Sequence, residues 1–276
     1  MKIYNTTQGP VIESDQSFYA YSDYNFDAIV NLPDLYQWLN ETLAGKEPVK
    51  DFDLAAVLLP PIVSQEVWAS GVTYLRSKNA RMEESKDAGG GDFYDRVYVA
   101  ERPEIFFKAT AARTVGHMQE VKIRRDSKWN VPEPELTLFV NNKGEIAGYT
   151  IGNDMSSRDI EGENPLYLPQ AKSYDKSAAI GPGILVLELP ITKDTEIRLE
   201  IERNGTGVFS QSTRLSQMKR EFDELVRYLT FDCTFPQGCF LMTGTGIVPP
   251  DSFTLEHQDV IHISIDGIGT LTNIVE

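Results

Sequence analysis

The chain has little of what most catalytic and binding signatures are built from. Its only cysteines, Cys233 and Cys239, are too few for a disulfide framework or a zinc site and read as free thiols of a reducing compartment. The three histidines, His117, His257 and His262, have no i,i+4 ligand spacing and no Gly-x-Ser-x-Gly partner, which sets aside a zinc centre and a serine triad. A Gly-x-Gly-x-x-Gly and a phosphate loop are both missing, so no nucleotide cofactor is indicated. No apolar run approaches the roughly 20 residues of a membrane-spanning helix. Met1 to Thr6 lack a basic start followed by an apolar stretch, so no signal peptide is expected and a cytoplasmic location is. Positive charge is also short: 26 Lys and Arg stand against 41 Asp and Glu, a net charge of −15. That balance repels nucleic acid and anionic membrane surfaces. An anionic substrate would therefore need local positive charge or a metal to hold it.

What is present centres on Trp129-Asn130-Val131-Pro132-Glu133-Pro134-Glu135-Leu136. Pro132 and Pro134 bracket Glu133 and favour extended chain. On an extended segment, Glu133 and Glu135 share a face. Leu136 to Val140 reads as a buried strand, Asn141 to Gly144 as a turn, and Glu145 to Ile151 as the return strand. A turn symmetric about residues 142 and 143 pairs Glu135 with Thr150, Glu133 with Gly152 and Val131 with Asp154. Directly opposed residues share a face, so Glu133, Glu135 and Asp154 converge at one end of the hairpin. Crowded carboxylates raise one another's pKa unless a cation lies among them. Oxygen-only ligands suit a hard ion such as Mg²⁺, Mn²⁺ or Ca²⁺. A solvated acidic strand face is the alternative.

Around this hairpin the chain divides into a small mixed module over 1–65 and a larger unit over 66–276. In the module, Pro33 stands near the start of a helix with Leu35, Trp38, Leu39 and Leu43 as its apolar stripe, ended by Gly45. Asp53 to Leu59 reads as a buried strand. Ser77 to Asp95 is polar and carries Gly89-Gly90-Gly91, the pattern of a disordered loop or a mobile lid. Ile105 to Phe107 reads as a core strand with Glu104 and Lys108 at its ends, either on the surface or as an acid/base group or carboxylate anchor. Lys172, between Ala171 and Ser173, becomes a plausible proton carrier if drawn to the acidic cluster. The turn Thr243-Gly244-Thr245-Gly246 offers backbone N–H groups and hydroxyls to a carboxylate. Many alternating strands and few helices indicate an α+β, β-rich fold with mostly antiparallel pairing.

Pro132 to Leu136, Gly148-Tyr149-Thr150-Ile151-Gly152-Asn153-Asp154-Met155-Ser156-Ser157-Arg158-Asp159, Lys172, Thr243-Gly244-Thr245 and Gly267 to Leu271, in that order, resemble the fumarylacetoacetate hydrolase family from about Gly71 onward. The resemblance implies a mixed β-sandwich roll, usually a homodimer or a dimer of dimers, acting on 2-oxo acids. It also implies a divalent metal, usually Mg²⁺, on Glu133, Glu135 and Asp154, with Lys172 beside it. Hydrolytic members carry Gly-x-Asn-Tyr-x-x-His near the start of this unit. Gly71-Val72-Thr73-Tyr74-Leu75-Arg76-Ser77 has serine where that histidine falls. Val97 to Thr110 and Glu163 to Gln170 look like the 2-keto-3-deoxy-D-arabinonate dehydratase branch, in which the residue matching Glu104 is, with the lysine, an acid/base group. The resemblance thus implies a Mg²⁺-dependent dehydratase of a 2-keto-3-deoxy sugar acid working through a metal-stabilised enolate. Lys172 and Glu104 are the expected catalytic pair, and Arg102, Lys108 and Thr245 the expected substrate-binding side chains. An acylpyruvate hydrolase, an oxaloacetate decarboxylase and a non-catalytic metal- or sugar-acid-binding protein remain as alternatives.

Overall fold

Valine, isoleucine, leucine and aromatic residues recur at strand spacing along most of the chain, and the segments they mark pair into two main sheets. The structure, a computed structural model, describes residues 1–84 and 91–276. The larger sheet runs Ser17–Ala20, Val11–Ser14, Lys2–Thr6, Ala178–Leu185, Ile146–Asp154, Pro134–Val140, Cys239–Met242, Glu66–Gly71 and Glu104–Thr110. Neighbours along it are antiparallel except Cys239–Met242 and Glu66–Gly71, which are parallel. The smaller sheet runs Thr206–Arg214, Glu196–Arg203, Val260–Ile265, Gly269–Val275 and Glu120–Val121. The fold is α+β and strand-rich, as the sequence pattern indicates.

Pro134–Val140 is buried along its whole length. Leu136, Leu138 and Val140 face the core shared with the smaller sheet and the helix Phe222–Thr230. Phe139 faces a second core under the helices Phe26–Val30 and Leu35–Leu43. A strand covered on both faces reads as a continuous apolar run, which is what Leu136 to Val140 is. Glu104–Thr110 is the last strand of the large sheet, but the chain then turns through Ala111–Arg113. Thr114–Val115 pairs in parallel with Ala178 and Ala179. That return curls the sheet edge back toward its middle, so one end of Ile146–Asp154 lies inside a roll. The strand Lys2–Thr6 is hydrogen-bonded to Ala178–Leu185, so residues 1–65 extend the same sheet.

Several local expectations change. Asp53 to Leu59 is a short helix, Leu54–Val57, capped by the Asp53 side chain on Ala56 N, followed by the two-residue strand Leu58–Leu59. A short apolar run does not by itself distinguish helix from strand, and the cap decides. The helix Leu35–Leu43 starts after Asp34, which takes φ 47°, so Pro33 lies just outside it. Ser77 to Asp95, expected as a loop, is helical wherever it is described: Ser77 to Glu84 belong to the helix Leu75–Glu84 and Gly91 to Asp95 to the helix Gly91–Val99; residues 85–90, where the lid expectation centres, lie outside the described residues. Arg220 donates to the carbonyls of Val97, Ala100 and Glu101 and so caps the second of these helices.

The join between the sheets carries a pH dependence. His117 Nδ1 accepts the Thr272 N–H at 3.0 Å, which requires an unprotonated Nδ1. Burial, and to a lesser degree His262, holds the ring below its ordinary pKa. The unfolded chain therefore takes up this proton first, and stability falls as pH drops below about 6.5. His117→Gln, which keeps an acceptor but no titration, is expected to lose less stability than the parent between pH 7 and 5.5 in denaturant melts. Equal losses would assign the effect elsewhere.

Candidate metal and active centre

The hairpin brings Glu133, Glu135 and Asp154 together, by a register two residues away from the expected one. Glu135 pairs with Gly152 and Pro134 with Asn153, while Glu133 and Asp154 exchange backbone hydrogen bonds. Two local features produce the offset. The loop closes between Asn141 and Glu145 with Gly144 at φ 79°, and the ladder slips between Phe139 and Val140. A slip of two preserves the face of every side chain, whereas a slip of one would have inverted them. Val131 pairs instead with Ser156. One ligand oxygen from each of the three buried carboxylates lies within 4.8 Å of the others.

Three cations surround them. Lys172 Nζ, on the last residue of the helix Leu168–Lys172, donates to Glu133 Oε2 at 2.7 Å, Asp154 Oδ2 at 3.0 Å and Ser156 Oγ at 2.5 Å. Arg158 Nη2 donates to Glu133 Oε1 at 2.7 Å. Lys108 Nζ lies 2.7 Å from Asp154 Oδ1 and donates to the carbonyls of Met155 and Lys172. Lys108 is fully buried at a bulge, since Phe107 pairs with Trp68 and Ala109 with Val67, leaving it as the extra residue. Bulges redirect single side chains in this way near functional sites. Burial lowers the Lys108 pKa to about 8, against the opposing pull of Asp154.

Glu135 is the carboxylate whose nearest donor is backbone: Gly244 N–H reaches its Oε2 at 2.5 Å. Burial raises its pKa well above the ordinary range, and Asp154 and Glu133 push the same way. Asp154 Oδ1, despite its contact with Lys108, makes no directional hydrogen bond. The donor set is all oxygen, buried, mutually repelling and short of one hydrogen-bond donor. It fits a hard divalent cation.

Glu104 begins the edge strand and pairs with Gly71. Phe106, on the same face two residues on, has its ring centroid 5.9 Å from Lys172 Nζ, so Glu104 shares the face that looks toward the cluster. Thr245 is buried, with its hydroxyl accepting from Ile247 N and donating to Ile247 O, both at 3.1 Å. Arg102 is not brought to the cluster: it is exposed, with its guanidinium 5.2 Å over the Tyr228 ring. Ser77 Oγ donates to Tyr74 O at 2.8 Å and accepts from Tyr74 N at 3.3 Å. Sequence reasoning gave no role to Arg158 or Ser156; the turn expected to offer backbone N–H groups to a carboxylate does so at Gly244, and the carboxylate is that of Glu135. A signal existed for Arg158, a lone cation four residues beyond Asp154 at the end of the return strand.

Known proteins are similar to this chain in sequence and in fold. Residues 66–276 match the family model for the fumarylacetoacetate (FAA) hydrolase C-terminal domain. A probable 2-keto-3-deoxyxylonate dehydratase of Haloferax volcanii is 49% identical over 216 residues, 78% of this chain and 73% of the relative. The 2-dehydro-3-deoxy-D-arabinonate dehydratase of Saccharolobus solfataricus is 42% identical over 226 residues, 81% of this chain and 76% of the relative. A solved structure of a 2-keto-3-deoxy-D-arabinonate dehydratase complexed with magnesium and 2,5-dioxopentanoate superposes with a TM-score of 0.85 at 34% identity, covering 100% of this chain and 99% of that one. By sequence and by fold, this chain belongs to the fumarylacetoacetate hydrolase family.

Proposed function

We propose that this protein is a divalent-metal-dependent hydro-lyase that dehydrates a 2-keto-3-deoxy sugar acid, with Mg²⁺ on Glu133, Glu135 and Asp154. The observation that carries the reading is a buried three-carboxylate cluster with a lysine ammonium inside it, in a chain 42% identical to a dehydratase of a 2-keto-3-deoxypentonate. When bound there, the ion supplies a Lewis acid that polarises the 2-keto group of a substrate and acidifies its C3 protons.

The chain's own residues do the rest. Glu133, Glu135 and Asp154 fix the ion's position, and Arg158 and Gly244 N–H hold two of those carboxylates in place. Lys172 and Glu104 divide the proton transfers: one takes a C3 proton, and the other protonates the C4 hydroxyl as it leaves as water. In a five-carbon substrate, loss of a C5 proton and protonation at C3 then give the 4,5-enol, and loss of its O–H proton with protonation at C4 completes 2,5-dioxopentanoate. The helix Leu168–Lys172 and Ser156 orient the lysine, and Lys108 supplies positive charge near a bound anion.

Hydrolysis would need a group to activate water. The Ser77 hydroxyl is committed to the backbone of Tyr74, which favours elimination. Incubating the purified protein and Mg²⁺ with 2-keto-3-deoxypentonates, acylpyruvates and oxaloacetate in parallel tests the reading. Water loss from a 2-keto-3-deoxypentonate is expected to dominate; turnover confined to an acylpyruvate or oxaloacetate would overturn it.

A further inference from the structure

A glycine is kept in a strand for one of a few reasons: a positive φ, a close backbone approach, or space demanded by something else. Gly71 ends the strand Glu66–Gly71 and is not among the residues with positive φ. A side chain there meets no backbone restriction of its own. What it would meet is Glu104. A methyl carbon on Gly71 would lie 2.6 Å from Glu104 Cδ, closer still to Oε2, and 3.3 Å from Cγ, and all three nearest atoms belong to that one side chain. Gly244 and Gly183 differ, because a methyl group at either would also press on a backbone carbonyl, of Ser70 or of Ile3.

The sheet register says what the space is for. Met242 pairs with Thr137 on one side and Ala69 on the other. Two residues beyond that row stand Glu135, Gly244 and Gly71, and Gly71 pairs with Glu104. Two glutamates thus bracket two glycines at one end of the sheet. The Glu104 carboxylate folds back over Gly71 toward the side on which Gly244 N–H binds Glu135.

We infer that Gly71 is a positioning residue for catalysis: its missing side chain is the slot that lets the Glu104 carboxylate lie across the sheet end toward the carboxylate cluster. The inference rests on the acid/base role proposed for Glu104. Because the atoms in the way are the far end of a flexible side chain, Gly71→Ala is accommodated by swinging that carboxylate out by an ångström or more. The fold tolerates this and proton transfer does not.

Gly71→Ala is expected to lower kcat by about 10²-fold, the cost of a misplacement of about 1 Å at a reacting group. KM and Mg²⁺ affinity by calorimetry stay near the parent values. In a Glu104→Gln background the same substitution should cost nothing more. A Gly71→Ala enzyme with parental kcat, or a further large loss in the double variant, would overturn the inference. If Gly71→Ala does not fold, Gly71→Ala/Glu104→Ala should fold as well as Glu104→Ala alone, since the space is then vacant; failure of that double variant also overturns it. Full activity of Glu104→Gln alone would instead strike the acid/base role of Glu104, a distinguishable outcome.

Discussion

Glu135→Gln is expected to give a folded protein with turnover reduced by about 10³-fold or more. The substitution keeps shape and the acceptor facing Gly244 N–H, and removes one anionic ligand of three. Lewis-acid stabilisation amounts to several kcal/mol, and about 4 kcal/mol corresponds to three orders of magnitude in rate. Its effect on stability runs the other way. The folded state holds this carboxyl above its ordinary pKa, mainly through burial, so folding favours its protonated form. Stability from that source is present at low pH and lost as pH rises through the shifted pKa. A permanently neutral glutamine avoids the loss, so chelator-treated Glu135→Gln should melt no lower than the parent at neutral pH. The parent should gain about 2.7 kcal/mol when Mg²⁺ is present at 100 times its Kd, and the variant should gain far less. Thermal melts with and without Mg²⁺ check both. An unchanged rate or an unchanged Mg²⁺ gain would remove Glu135 from the metal site.

Lys172→Met has the second large expected effect, and it appears in two measurements. Loss of a positioned proton-transfer group costs about 10²–10⁴-fold in kcat. Methionine also withdraws the ammonium that spans Glu133 and Asp154 while those carboxylates stay buried. Removing one partner of a buried ion pair costs about 3–5 kcal/mol. The lower end applies, because Lys108 and Arg158 still face the same two carboxylates. Added Mg²⁺ should restore much of that stability, since the ion supplies the missing charge, but none of the rate. Denaturant melts of chelated and Mg²⁺-loaded variant against parent decide the matter. Parental stability after chelation would mean that the lysine is no counter-ion, and a parental rate that it moves no proton.

The carboxylate cluster was legible in the sequence because its logic is local. Two prolines enforce an extended chain around Glu133, and period-two alternation then determines the face. The predicted register was off by two, from a longer loop and a slipped ladder, yet the even slip left the convergence intact. Lys108 was only half legible. A lysine at the end of an aromatic run gives no sign of full burial, and its inward turn comes from a bulge set by the partner strand. The Gly71–Glu104 arrangement was not legible at all. It exists only through pairings that join residues far apart in the chain, and such pairings leave no periodic trace. Asp53 to Leu59 was misread because a short apolar run suits either regular structure until a cap or a partner strand decides.

The most direct measurement follows a 2-keto-3-deoxypentonate by proton NMR in D₂O with the purified protein. Spectra are taken with Mg²⁺, after chelation, and after Mg²⁺ is restored. The expected result is 2,5-dioxopentanoate carrying deuterium at C3 and C4, formed with Mg²⁺, stopped by chelation and resumed on its return. Product formed at the same rate in chelated protein, or none under any of the three conditions, would contradict a metal-assisted dehydration at Glu133, Glu135 and Asp154.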